Sequence, residues 1–188
     1  MGENRPTPAE KFLELLRPIE RDLEIYCRRM AWDVNDVKDT IQNAVWRAFR
    51  AFDRYRQDAS FRAWMFKILT NEIFAANRKH GRIASHEITA ESDESESFAA
   101  LERDLEYRDW LNSPGALADA LDEAIVAALK TLTEMERAVL LHRAIGGFRY
   151  REISESLEIP IGSVMGNLSR ARRKMRDALM RSQRRSNP

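Results

Sequence analysis

The 188 residues set 31 Lys and Arg against 30 Asp and Glu for a net charge of +1, and 44% are hydrophobic, enough to bury a core. A single cysteine excludes a disulfide framework or a cysteine zinc site within one chain, no apolar run reaches membrane-spanning length, and no secretory signal is expected at the N-terminus. Seven Gly, six Pro and long stretches of helical period predict an all-α chain, whose length allows one domain or two small ones.

The near-neutral total conceals segregation. Residues 1–80 hold 15 basic and 12 acidic side chains, 81–120 hold 3 and 10, and 121–188 hold 13 and 8. A basic–acidic–basic layout predicts two anion-facing helical modules around a flexible acidic connector.

Thr7-Pro8-Ala9-Glu10 is a capping box with Pro at the first helical position, and Phe12, Leu13 and Leu16 form the apolar stripe that follows. Pro18 breaks that helix and starts the next, which carries Ile19, Leu23, Tyr26 and Met30, with Cys27 beside the stripe as a small buried hydrophobe. Asp33 to Asp36 predicts a turn and a new N-terminus. The clearest helix runs from about Asn35 to Tyr55, with Ile41, Ala44, Val45, Ala48, Phe49 and Phe52 on one expected buried face. Another face carries Asp39, Gln42, Asn43, Trp46 and Arg50. Trp46 there is either an interface anchor or a residue half-buried against a neighbouring helix.

Arg54 to Ala59 is a polar loop, and Ser60 can cap a helix from Phe61 to about Lys79. Phe61, Trp64, Met65, Phe66, Ile68, Leu69, Ile73 and Phe74 make it apolar almost all round, interrupted by Arg62, Lys67, Asn71, Arg78 and Lys79. Aromatics beside cations can stack splayed bases, and a core helix with snorkelling cations has the same pattern. Ser85 to Ser97 is acidic, serine-rich and poor in apolar groups, so it is expected to be disordered alone. Phe98, Leu101 and Leu105 restore a partial helical pattern before Ser113-Pro114-Gly115 punctuates.

The second module opens with Leu121, Ile125, Leu129 and Leu132 on one stripe. Thr133 to Glu136 is another capping box, and Gly146-Gly147 ends the helix it starts with a left-handed cap. Tyr150 to Leu157 predicts a short helix, Glu158-Ile159-Pro160 a break, and about Pro160 to Leu179 a longer helix. Its apolar residues Val164, Leu168, Ala171, Met175 and Leu179 recur at spacings of four, three, four and four. Arg170, Arg172, Arg173, Lys174 and Arg176 fill the remaining surface. Two helices, a tight turn and a basic second helix are the sequence form of a DNA-reading helix-turn-helix, though a helical hairpin with a solvated basic face has similar periodicity. His80, His86 and His142 are not at metal-ligand spacings and no Gly-rich phosphate loop is present, so an enzyme is not expected. The tail from Arg181 to Pro188 is basic and expected to fray.

Three stretches, DVKDTIQNAVWRAFRAFDRYR, SFRAWMFKILTNEIFAANRKHGR and LKTLTEMERAVLLHRAIGGFRYREISESLEIPIGSVMGNLSRARRKM, resemble in order and spacing the conserved regions of extracytoplasmic-function (ECF) sigma factors. This is the small two-domain class of bacterial RNA polymerase sigma subunits, and the resemblance covers about Phe12 to Arg82 and Leu121 to Leu179. It implies a polymerase-binding, promoter-melting domain at 7–82, an acidic linker at 83–119, a helix-turn-helix domain at 120–180 and a basic tail at 181–188. It also implies that Asp36, Asp39, Gln42, Asn43 and Trp46 contact core polymerase. Tyr55, Arg56, Ser60, Phe61, Trp64, Lys67, Asn71 and Arg78 would meet the minus-ten element, and Ser163, Met165, Gly166, Asn167, Arg170, Arg173 and Lys174 the minus-thirty-five element. The implied partners are the polymerase clamp and flap, promoter DNA and an anti-sigma protein, with no cofactor, no membrane insertion and a cytoplasmic location. Met165, Gly166 and Asn167 depart from the cation, serine and cation often found in the family, so the sequence read upstream is expected to differ. Asn167 carries the donor and acceptor that adenine takes. The ten acids of the linker either imitate an RNA backbone in the polymerase cleft or form a solvated tether. Its apolar residues Phe98, Leu101, Leu105 and Trp110 could instead dock on a domain of the free protein. An operator-binding regulator and an adaptor that sequesters partners through amphipathic helices are the competing readings.

Overall fold

Thr7 closes the capping box expected of it, its hydroxyl accepting from the Glu10 N–H at 3.2 Å while Glu10 accepts from the Thr7 N–H at 2.7 Å. These contacts come from a computed structural model that describes residues 6–56, 60–79 and 117–186, with side chains of the last stretch from 123 to 182. Among these residues every regular element is helical. Residues 83–116 of the acidic linker, the loop centre at 57–59, His80, His86, the Phe98–Trp110 pattern and the side chain of Leu121 lie outside the described residues, and the last three linker positions, 117–119, already belong to a helix. Two units divide the chain, the first ending at Arg82 and the second starting at Ile83.

In the first unit, helix α1 (Pro8–Leu16) passes through a 3-10 turn at Pro18 into α2 (Glu20–Met30). The Asp33 side chain accepts from the Asn35 N–H at 2.9 Å and opens a 3-10 turn that leads into α3 (Val37–Arg50). A third 3-10 turn, Phe52–Arg54, precedes α4 (Phe61–Lys79), which Ser60 caps by accepting from the Ala63 N–H at 3.3 Å. The core lies where Leu23, Tyr26 and Met30 of α2 meet Met65, Phe66, Leu69 and Ile73 of α4. A deep polar pair there is satisfied: Tyr26 and Thr70 share a hydrogen bond at 2.8 Å, and Thr70 donates to the Phe66 carbonyl at 2.7 Å. Cys27 is fully buried and its thiol is pushed up to about 12 by burial, so it is inert.

The α3 stripe differs from expectation. Val37, Thr40, Ala44 and Ala48 face the core, whereas Ile41, Val45 and Phe52 are half-buried and Phe49 is exposed. Small side chains let α3 approach α4 closely, and the larger apolar row is displaced sideways toward α1. Leu13, expected in the α1 stripe, is 45% exposed on the same side.

In the second unit, α5 (Leu117–Leu129) leads to a Thr133 capping box and α6 (Glu134–Leu141). A π turn over His142–Gly146 follows, and Gly147 closes it at φ 72° in the left-handed conformation. Gly146 has no alternative, since a Cβ there would lie 2.3 Å from the Phe148 ring. Helix α7 (Tyr150–Leu157) and helix α8 (Ile161–Ser186) complete the unit, and α8 runs past its expected end at Leu179 through Ser186, so the tail expected to fray from Arg181 is helical that far. All five residues of its expected apolar stripe are buried. The break between α7 and α8 is made by Glu158 at φ 56°, not by Pro160 alone. A non-glycine residue in that region costs about 1–2 kcal/mol. Replacing Glu158 with Gly is therefore expected to stabilise this unit by about 1 kcal/mol, raising its thermal midpoint by about 4–8 °C on a circular dichroism melt.

Candidate functional site

Two surfaces of the first unit carry the residues expected to meet partners. On α3, Asp39, Gln42, Asn43 and Trp46 stand at i, i+3, i+4 and i+7, so one face carries them, opposite the buried Val37–Ala48 row. Trp46 is 59% exposed, and the Arg50 guanidinium lies 4.7 Å from its ring centre. Beside this face the displaced apolar row and α1 enclose an open groove of about 720 Å³, floored by Phe12, Leu16, Ile41, Val45 and Phe49 and rimmed by Gln42, Asn43 and Trp46.

The second surface lies along α4. Trp64, Lys67, Asn71 and Arg78 share one side of the helix. Trp64 sits at its head, packed 5.1 Å from Tyr55 and 5.6 Å from Phe61. Tyr55 stacks nearly parallel on Phe52, and Phe52 meets Phe12 edge-on at 5.3 Å. The chain of rings thus runs from the groove floor to the loop that precedes α4.

In the second unit α8 presents Ser163, Met165, Gly166, Asn167, Arg170 and Arg173 away from its buried stripe, with Met165 49% exposed. The Asn167 side-chain NH₂ donates to the Ser163 carbonyl at 2.7 Å, and Arg170 donates to the Asn167 Oδ1 at 3.2 Å. Gly166 places no Cβ between the helix and the Arg170 guanidinium, at the cost of about 1 kcal/mol in helix stability relative to Ala. Behind the helix, His142 is fully buried between Ala138 and Ser156, and burial pushes its pKa down to about 4.

Residues 15–83 match the model for sigma-70 region 2 and residues 122–175 the model for sigma-70 region 4, in that order and together over more than half of the chain. The ECF RNA polymerase sigma-E factor of Escherichia coli K12 is 29% identical over 142 residues, covering 73% of this chain and 70% of that protein. The chain belongs to the extracytoplasmic-function (ECF) sigma factors. The ECF sigma factor SigG of Mycobacterium tuberculosis is 27% identical over 166 residues, which is 82% of this chain and 45% of SigG. Among solved structures, CnrH in complex with the cytosolic domain of CnrY aligns with a TM-score of 0.61 at 24% identity, covering 91% of this chain and 88% of CnrH. The sigma factor RpoE of Bartonella quintana, in complex with the anti-sigma factor NepR, aligns at 0.67 and 19% identity, over 90% and 97%. These two likenesses concern the fold.

This sigma factor is a transcription initiation factor of RNA polymerase, and the ordered pair of regions disfavours an operator-binding regulator. Within region 2 the structure gathers Asp39, Gln42, Asn43 and Trp46 on one face, with Asp36 half-buried at its head. Phe61, expected among the DNA contacts, is 7% exposed and backs Tyr55 and Trp64 from inside. Ser60 has its hydroxyl on the helix cap. Arg56, Asn71 and Arg78 are exposed and Lys67 is half-buried. Arg62 shows the snorkelling alternative in action, bonded to Asp22 at 2.8 Å across the Phe66 ring. Within region 4, Lys174 turns inward onto Glu136 instead of facing outward.

Sequence reasoning missed Phe12, Phe52, Glu136 and His142. The two phenylalanines join surfaces 40 or more positions apart in sequence by ring contact, which no local period encodes. In the sequence Glu136 shows only as a capping-box acid. His142 sits four residues after Ala138 and fourteen before Ser156, a pairing visible only once the π turn is known. Among the described residues no group of His, Cys, Asp and Glu could hold a metal ion, and no helix is long and apolar enough to cross a membrane.

Proposed function

We propose that residues 7–82 bind core polymerase through the Asp39–Trp46 face of α3 and open the minus-ten element with Tyr55, Trp64 and the polar side of α4. In the same reading 83–119 is the connector, and residues 120–180 hold the minus-thirty-five element through α8, with 181–188 as a basic extension. The protein acts by binding, with no reaction of its own, in the cytoplasm where core polymerase works. Unstacking a base costs a few kcal/mol and stacking it on an aromatic returns about 1–3, so strand opening is nearly balanced and selective without nucleotide hydrolysis.

The observation that carries this reading is the ring chain from Phe12 through Phe52 and Tyr55 to Trp64. It ties the partner-facing groove to the base-facing loop in one packed body, so mounting on polymerase fixes where the loop stands. RpoE is solved with the anti-sigma factor NepR. The groove of this chain, apolar and rimmed by Gln42, Asn43 and Trp46, suits an anti-sigma protein that competes with polymerase for the same face.

In vitro transcription with purified core polymerase on genomic fragments, followed by start-site mapping, tests the whole reading. Defined starts are expected, and their absence would refute it. Trp64→Ala is expected to lower open-complex formation by about 30-fold, the middle of the stacking range. Trp64→Phe, which keeps a stacking face, should recover most of that loss in a permanganate footprint of the minus-ten strand. Equal loss in both variants would remove Trp64 from strand opening.

A further inference from the structure

The Glu136 side chain is 3% exposed, and its carboxylate serves two ends. Oε2 accepts from the Thr133 N–H at 2.9 Å, closing the capping box. The same carboxylate takes the Lys174 ammonium at 2.9 and 2.7 Å and lies 3.5 Å from the Arg170 Nε. A buried anion needs partners of this kind, because an unpaired charge in the interior is far costlier than the pair. Arg170 then donates to Asn167, and Asn167 to the Ser163 carbonyl. One continuous polar chain leads from the start of α6 to the amide at the edge of α8.

We infer that Glu136 is a positioning residue for minus-thirty-five reading, holding Lys174 away from DNA phosphates and, through Arg170, fixing the direction of the Asn167 amide. The inference rests on α8 being the recognition helix, as proposed above. The Ser163 carbonyl can only accept, so it takes the NH₂ end of Asn167 and leaves the oxygen end to Arg170. Each partner uses one site only. One N–H and one lone pair of Asn167 remain, and these are the donor and acceptor that the major-groove edge of adenine requires. Preorientation therefore leaves the reading groups free. Lys174, spent on Glu136, adds no counterion release.

The full-length protein bound to core polymerase is titrated with a duplex carrying the minus-thirty-five element, and with each single-base variant, between about 50 and 200 mM salt. Glu136→Gln keeps a capping-box side chain and removes the charge. It should steepen the log affinity–log salt slope by about 0.9 for each released cation. Discrimination at the base read by Asn167 should fall by about tenfold, the scale of one bidentate pair. A Glu136 that served only the cap would leave slope and discrimination at wild-type values, and that result would overturn the inference. Lys174→Met gives a second arm that keeps Glu136 but leaves its buried carboxylate to Arg170 alone, so it is read at a temperature where the variant is shown to be folded. An unchanged slope is expected, and a slope shallower by about 0.9 would place Lys174 on a phosphate and overturn it too. If the wild-type complex itself shows no base preference on this duplex, the recognition-helix reading fails, a result distinct from variants that merely match a discriminating wild type.

Discussion

Replacing Trp46 with alanine is expected to weaken binding to core RNA polymerase by about 30-fold or more, the effect of losing roughly 2 kcal/mol at an interface anchor. Tryptophan is enriched at such anchors because it buries a large area with only two rotors to freeze. Trp46 has that form: 59% exposed, off the buried row of its helix and held by the Arg50 guanidinium 4.7 Å from its ring. It borders an apolar groove, a kind of surface that monomers seldom leave bare without use. The folded unit gains little from Trp46, so its thermal midpoint should move no more than an ordinary surface substitution moves it. Phe49 would give a less readable result, since its ring also packs on Phe12 at 5.4 Å and its loss would disturb the core. Asp39→Ala is the useful contrast, because an exposed rim charge changes the association rate and salt dependence more than the dissociation rate. Fluorescence anisotropy with labelled protein and purified core enzyme separates the two. A Trp46→Ala protein that binds as tightly as wild type would remove the α3 face from the polymerase interface.

The helices were legible because each carries its own signals. Thr7 and Thr133 announce their capping boxes, Pro18 its break, Gly147 its left-handed stop, and the Val164–Leu179 stripe its period. What periodicity could not decide was which of two adjacent apolar rows on α3 faces inward. Ile41, Val45 and Phe49 are the more hydrophobic row, yet Ala44 and Ala48 are buried, because close helix packing favours small side chains at the crossing. The same choice creates the groove, so the error in the stripe and the groove have one cause. Among the residues expected to meet DNA the types were legible and their allegiances were not. Phe61 and Lys174 have suitable chemistry for a nucleic acid, and the fold spends one on an aromatic core and the other on a buried carboxylate.

His142 predicts how this protein fails in acid. Its Nδ1 faces the Ala138 carbonyl at 2.9 Å, so Nδ1 carries the hydrogen and Nε2 accepts from the Ser156 hydroxyl at 3.1 Å. The neutral ring thereby bolts the end of α6 to the buried side of α7, the first helix of the helix-turn-helix. Protonation puts a second hydrogen on Nε2 and a charge in a fully buried site, which is why burial pulls the pKa down to about 4, with the Ala138 bond opposing only part of the shift. In the unfolded chain the ring titrates near its ordinary 6.5. Between these values the unfolded state binds a proton that the folded state refuses, so stability is full above about pH 6.5 and is lost as pH falls toward 4. The total lost is about 3 kcal/mol, a large part of what a small helical unit has. Hydrogen exchange resolved on the α6–α8 amides at pH 7, 5.5 and 4.5 should show the second unit opening, with the His142→Gln protein less stable at pH 7 and flatter across the same range. Equal acid slopes in the two proteins would assign the sensitivity to other groups. Because the bolt holds α7 against the helix that precedes it, promoter discrimination upstream should decline in step with those amides.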